Sequence, residues 1–203
     1  MNNQIKINFS PDENYFKKYL ETLNSFGKIY YNSFRFKECP KNIDNNRAYT
    51  ISGENKNILT KTGTNAVWMG TICEYELDKS IEEHKWKIKL LNVTKKELMV
   101  GVAPIDFDIN SSSYNSCGWY LYCYGKSYLY SGPPFNYSSK QTNLSNINDE
   151  VIVVMNMKKR TLKFIINNED KGDSYTNIPI DKPLFPAAFL YYQNDSIELS
   201  ECE

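Results

Sequence analysis

Residues 85–90 read Lys-Trp-Lys-Ile-Lys-Leu, and this strict two-residue alternation constrains the fold more than any other feature of the chain. In an extended strand successive side chains point to opposite faces, so Trp86, Ile88 and Leu90 share one face while Lys85, Lys87 and Lys89 share the other. One face is core and the other is wet, as in an antiparallel sheet packed on one side only. Short runs of this kind continue from Ile29 onward, separated by Asn, Gly, Ser and Asp clusters. Residues 98–103, Leu-Met-Val-Gly-Val-Ala, read as a central strand covered on both faces, with Gly101 at a close approach. Over residues 119–124, Trp119, Leu121 and Cys123 alternate with Tyr120, Tyr122 and Tyr124, and Gly125 turns the chain into a partner strand over 127–130. Residues 151–157 and 161–166 flank the polar tip Lys158-Lys159-Arg160 as a hairpin. The chain turns again between Asn167-Asn168 and Gly172, and the last strands fall at 187–192 and 197–199. No strand-helix-strand rhythm occurs, which excludes a parallel α/β sheet and favours an all-β antiparallel sandwich.

One segment departs from this period. Ser10-Pro11-Asp12-Glu13 supplies an N-cap, a proline at the first helical position and a glutamate three residues on from the cap. Phe16, Tyr19, Leu20, Leu23 and Phe26 then recur at helical spacing before Gly27, and together these predict an amphipathic helix over residues 11–26. Its apolar stripe could cover the sandwich, belong to a coiled coil of a larger architecture, or dock on a partner. The first is the usual fate of such a helix. The expected organisation is an N-terminal extension over 1–35 and one sandwich domain over 36–203, a length at which an all-β domain commonly forms a single unit. Residues 131–149, rich in Ser, Asn and Pro, read as a surface excursion.

Lys plus Arg equals Asp plus Glu at 24 each, without a basic run, so neither nucleic acid nor a membrane surface is an expected partner. The 16 tyrosines and 10 phenylalanines suit half-buried strands or a contact face. Cys39, Cys73, Cys117, Cys123 and Cys202 show no C-x-x-C pair and an odd count, the pattern of reduced, mostly buried thiols. The polar N-terminus lacks the apolar stretch of about 7 to 15 residues that a secretory signal needs, so the expected location is the cytosol or nucleus. The N-x-S/T matches at Asn92, Asn136 and Asn194 matter only in a secreted chain. His84 is the sole histidine, at the head of an amphipathic strand with no Ser or Cys motif set to use it, and catalysis is not expected. Asp106 and Asp108 form an isolated Asp-x-Asp pair of the usual solvated kind, and no Gly-rich phosphate loop occurs. No metal and no cofactor are therefore expected.

The region from about Ala48 to Leu199, roughly three quarters of the chain, resembles the SPRY domain family through six blocks in sequence order. Residues 84–90, His-Lys-Trp-Lys-Ile-Lys-Leu, are similar to that family's "hYWEVEV" strand, and 98–103 to its "iGVa" strand. Gly118-Trp119-Tyr120 followed by Gly125 resembles "gw...G". Residues 149–164 resemble "GDvIgvllD...gtlsF", Asn167-Asn168 with Gly172 resembles "kNg...G", and Pro183-Leu184-Phe185-Pro186-Ala187 resembles "lyPav". Three departures stand out: Asn156 where the family has Asp, Arg160 where its turn has Gly, and Asn148 where Gly precedes Asp149. The hairpin is expected to use a different turn, because Arg160 takes positive φ only at a cost glycine avoids.

The resemblance implies a bent, concanavalin-like sandwich of two antiparallel sheets, non-catalytic, that binds a short peptide or a partner surface through loops at one rim. Carried onto this chain, the family's peptide-binding positions are Lys96, Tyr114, Tyr191, Tyr192 and Gln193. The last three replace the Val-Trp-Gly of the Asn-rich-peptide binders, so that ligand preference does not transfer. At least one of Tyr191 and Tyr192, as neighbours on a predicted strand, is expected to point into the core, and Tyr114 reads equally well as a solvated loop residue. Many such domains recruit substrates to ubiquitin ligases. This sequence shows no zinc-binding RING or B-box, so as it stands it could recruit but not transfer. The alternative from another class is a carbohydrate-binding module, with sugar stacking on Trp68, Tyr128 or Tyr130.

Overall fold

The two-residue period is realised as thirteen strands among the described residues, which are 34–39, 41, 44–95, 97–105, 118–124, 127–131, 137–138 and 150–202 of a computed structural model. They are β1 (Tyr49–Ser52), β2 (Ile58–Lys61), β3 (Met69–Ile72), β4 (Glu83–Asn92), β5 (Glu97–Pro104), β6 (Trp119–Tyr124) and β7 (Ser127–Ser131). After these come β8 (Tyr137–Ser138), β9 (Glu150–Asn156), β10 (Thr161–Ile166), β11 (Glu169–Tyr175), β12 (Leu184–Leu190) and β13 (Ser196–Glu201). A seven-stranded sheet runs in the order β1-β2-β13-β4-β9-β10-β11, and a six-stranded sheet in the order β3-β12-β5-β6-β7-β8. Neighbouring strands pair antiparallel throughout. The described residues belong to one unit, Phe34–Glu203, and the only helical turn among them is a 3-10 turn at Asn45–Arg47, capped by Asp44. The helix predicted over 11–26 lies outside the described residues, as do Asp106 and Asp108.

The alternation in β4 is borne out: Trp86, Ile88 and Leu90 are buried to within 1% while the lysines between them are not. These apolar side chains join Val151, Val153 and Met155 of β9 and Leu162, Phe164 and Ile166 of β10, and face Leu98, Val100 and Val102 of β5 across the sandwich. On the wet face of β4, cross-strand charges balance, with Lys87 3.3 Å from Glu150 on β9, and Lys163 of β10 2.7 Å from Asp170 on β11. Val154, nearly fully buried there, is flanked in register by Lys85 and Lys163, whose aliphatic stems can cover it.

The central strands of the second sheet are buried on both faces. Every residue of β5 and β12 is buried; Leu98, Val100, Val102, Leu184, Ala188 and Leu190 join the inter-sheet core, while Met99, Ala103, Phe185, Ala187 and Phe189 join Tyr120, Trp68 and Ile72 in a separate cluster. Gly101 is required where β5 crosses β6, because a Cβ there would run into the Trp119 carbonyl oxygen.

Two expectations need correcting. The last long strand is Leu184–Leu190 rather than 187–192: the chain leaves the sheet at Tyr191, where Asp195 draws the backbone into a turn through Asn194 at φ 68°. The β9–β10 hairpin does place Arg160 in the left-handed region, at φ 57°. Arginine is held there because its Nε donates to the Ile178 carbonyl (2.9 Å) and its Nη2 to that of Asn177 (3.4 Å), while Asn156 Oδ1 accepts from the Lys159 N–H (2.7 Å). The next turn is a two-residue Asn167-Asn168 link with both φ values positive, the geometry that matches strand twist. Gly172, at φ 70°, lies beyond that turn, in β11, whose register shifts against β10.

Candidate binding rim

Three connections meet at one end of the sandwich: residues 62–68 between β2 and β3, 93–95 following β4, and 191–195 between β12 and β13. Two buried charged side chains bind them together. Lys61, fully buried at the end of β2, donates from Nζ to the carbonyls of Gly63 (2.9 Å) and Asn65 (2.6 Å), folding the first loop over its own ammonium. Burial holds the Lys61 pKa below the usual lysine value, and the charge of Asp195 opposes that shift. Asp195, also fully buried, accepts the Thr94 N–H at Oδ1 (2.7 Å) and the Tyr192 N–H at Oδ2 (3.1 Å), so one carboxylate ties the second loop to the third. Backbone bonds close the circuit: Lys61 N–H to the Asp195 carbonyl (2.9 Å) and Asn194 N–H to the Lys61 carbonyl (2.8 Å). Asn92 Nδ2 adds a bond to the Asn194 carbonyl (2.8 Å), and Gln193 Nε2 one to the Thr62 carbonyl (3.2 Å). A carboxylate whose two oxygens both meet backbone N–H groups tolerates complete burial, and the loops it joins lose their freedom before any ligand arrives.

On this frame sits a chain of rings. Tyr122 of β6 packs edge-on against Trp68 (5.4 Å between centroids), Trp68 against Tyr191 (5.0 Å), and Tyr191 against Tyr192 (4.9 Å). The Tyr192 hydroxyl donates to Glu97 Oε1 (3.0 Å), and the Lys95 ammonium lies 4.9 Å from the centre of its ring. Glu97, the first residue of β5, is only 3% exposed. Burial raises its carboxyl above the ordinary range, against the opposing effects of the Tyr192 hydrogen bond and the Lys95 charge.

Of the positions carried over from the family, Tyr191, Tyr192 and Gln193 lie together on this rim, the tyrosines half-buried and Gln193 exposed. Neither tyrosine enters the core fully, because the strand that was to alternate them ends at Leu190. Lys96 and Tyr114 lie outside the described residues. Trp68, a candidate for sugar stacking, is 7% exposed and wedged between Tyr122 and Tyr191, so its faces are not on offer. Lys61, Lys95, Glu97 and Asp195 join the rim without being among the positions expected there. Their partners are backbone groups and rings from distant loops, which no local pattern in the sequence marks. The sole histidine, His84, donates its Nε2–H to the Asp78 carbonyl (2.8 Å). Cys73 is buried and Cys39 and Cys202 half-buried, all three as free thiols. No helix of the described residues is long and apolar enough to cross a membrane.

Comparison with known proteins agrees with this architecture. The chain is similar in fold to the SPRY domain of human HERC1, with a TM-score of 0.61 and 16% identity over 79% of this chain and 98% of that one. A second human SPRY domain matches with a TM-score of 0.58 and 14% identity, over 75% and 94%. The PSpry domain of TRIM65 gives 0.56 and 11%, over 89% and 99%. No curated protein sequence matches the chain. The family model for the SPRY domain matches residues 83–202, more than half of the chain. The chain therefore belongs to the SPRY domain family, a non-catalytic fold of protein-interaction modules.

Proposed function

We propose that this chain is an adaptor or recruiting unit that grips a short peptide or a partner's surface with the rim of residues 62–68, 93–97 and 191–195, and that it catalyses no reaction. The observation that supports the reading is the clasp of Lys61 and Asp195, which fixes three sequence-distant loops beneath half-buried tyrosines. A surface ordered in advance gives up little loop entropy on binding, and tyrosines beside amide side chains supply rigid contact area with adaptable hydrogen bonding. Lys96 and Tyr114 are assigned to the same rim on the family resemblance. Recruitment for a ubiquitin ligase belongs to this proposal and would use the same surface, in the cytosol or nucleus.

The test is a pull-down from cytosolic extract with wild type and with a Tyr114→Ala, Tyr192→Ala double variant of matched melting temperature. The reading expects a partner retained by wild type and lost from the variant. Equal retention by both would move the binding face elsewhere, and glycan binding without a retained protein would favour a lectin.

A further inference from the structure

We propose that the rim is built for an acidic peptide, with Lys95 anchoring a carboxylate of the partner. This deepens the interaction reading and rests on it. The charged side chains among the rim's described residues divide sharply by direction. Asp195 is fully buried, and its two oxygens accept from the N–H groups of Thr94 and Tyr192. Glu97 is 3% exposed and accepts the Tyr192 hydroxyl. Lys61 is buried on the carbonyls of Gly63 and Asn65. Both carboxylates are thus turned inward and out of a ligand's reach, and Lys95 is the one charged side chain of the described rim that is exposed.

Lys95 is also positioned. Its ammonium rests over the Tyr192 ring at 4.9 Å from the centroid, and the hydroxyl of that ring is bound to Glu97. A ring face attracts the cation while leaving N–H donors on its outer side for an incoming carboxylate. Around Lys95, Asn65, Thr94, Gln193 and Asn194 are exposed, which suits hydrogen bonding to an extended peptide backbone. A basic partner would meet Lys95 directly with no exposed carboxylate among the rim's described residues to receive it, and charge complementarity therefore selects an acidic one.

A random peptide library displayed against the full 203-residue chain tests this. Recovered peptides should be rich in Asp and Glu and bind more weakly as salt rises. Their affinity should fall about three- to tenfold on Lys95→Gln, and further on Lys95→Glu. Lys158→Glu makes the same charge change on the exposed β9–β10 tip, at the opposite end of β4, and should leave binding unchanged. Peptides that lose binding on Tyr192→Ala but are basic or uncharged and indifferent to Lys95→Gln would overturn the acidic preference and leave the rim as the binding face. Peptides indifferent to both substitutions, or no enrichment at all, would overturn both.

Discussion

Glu97 shows how a single residue at the rim combines cost and function. Its carboxylate is nearly out of reach of water and accepts one hydrogen bond from the Tyr192 hydroxyl. Burial raises its pKa above the ordinary 4.5. A carboxyl with a raised folded-state pKa binds its proton more tightly when folded, so the charged form lowers stability above that pKa, and the loss disappears as pH falls through it. Glu97→Gln keeps an acceptor for Tyr192 and removes the charge. It should therefore denature at higher urea than wild type at pH 7, and the difference should close as the pH is lowered toward 4.5. A lower midpoint for the variant at pH 7 would mean that the carboxylate, with Lys95 beside it, is a net stabiliser. None of this was visible in the sequence, where Glu97 reads as an ordinary polar residue before Leu98. Lys61 and Asp195 were equally hidden, because a charged residue is read as solvated until the backbone groups that receive it are known.

At the scale of elements, legibility followed periodicity. β4, β5, β9 and β10 were legible to within a residue or two at each end, because alternation or a continuous apolar run marks each of them. The end of β12 was misjudged by two residues: Tyr191 and Tyr192 continue the apolar pattern, and it is the side chain of Asp195 that turns the backbone away. The β9–β10 hairpin is the sharper case. Glycine is usual at the position of Arg160, and the arginine is accommodated by carbonyls at Asn177 and Ile178, well beyond the turn. Asn156 does the local work by accepting the Lys159 N–H. Asn156→Ala should thus cost about 1 kcal/mol in urea denaturation, leaving the fold intact. A loss near zero would show that the Arg160 contacts alone define the turn.

Across the whole molecule, the two sheets divide the labour. The seven-stranded sheet keeps an ion-paired, charge-balanced outer face at Lys87–Glu150 and Lys163–Asp170, which suits solvent, and the six-stranded sheet buries both faces of β5 and β12. The connections at one end carry the clasp and the rings. This division explains why the fold could be read from spacing while the site could not: a sandwich is specified by local alternation, but a rim is assembled from loops whose partners lie as far apart as Thr94 and Asp195. The most direct test of the central claim is amide hydrogen exchange of the chain with and without a bound partner or selected peptide. Binding at the rim should slow exchange at residues 62–68, 92–97 and 191–195 and leave β9 and β10 unchanged. Protection confined to the charged face, or to the exposed side chains Tyr75 and Ile105, with none at the rim, would contradict it.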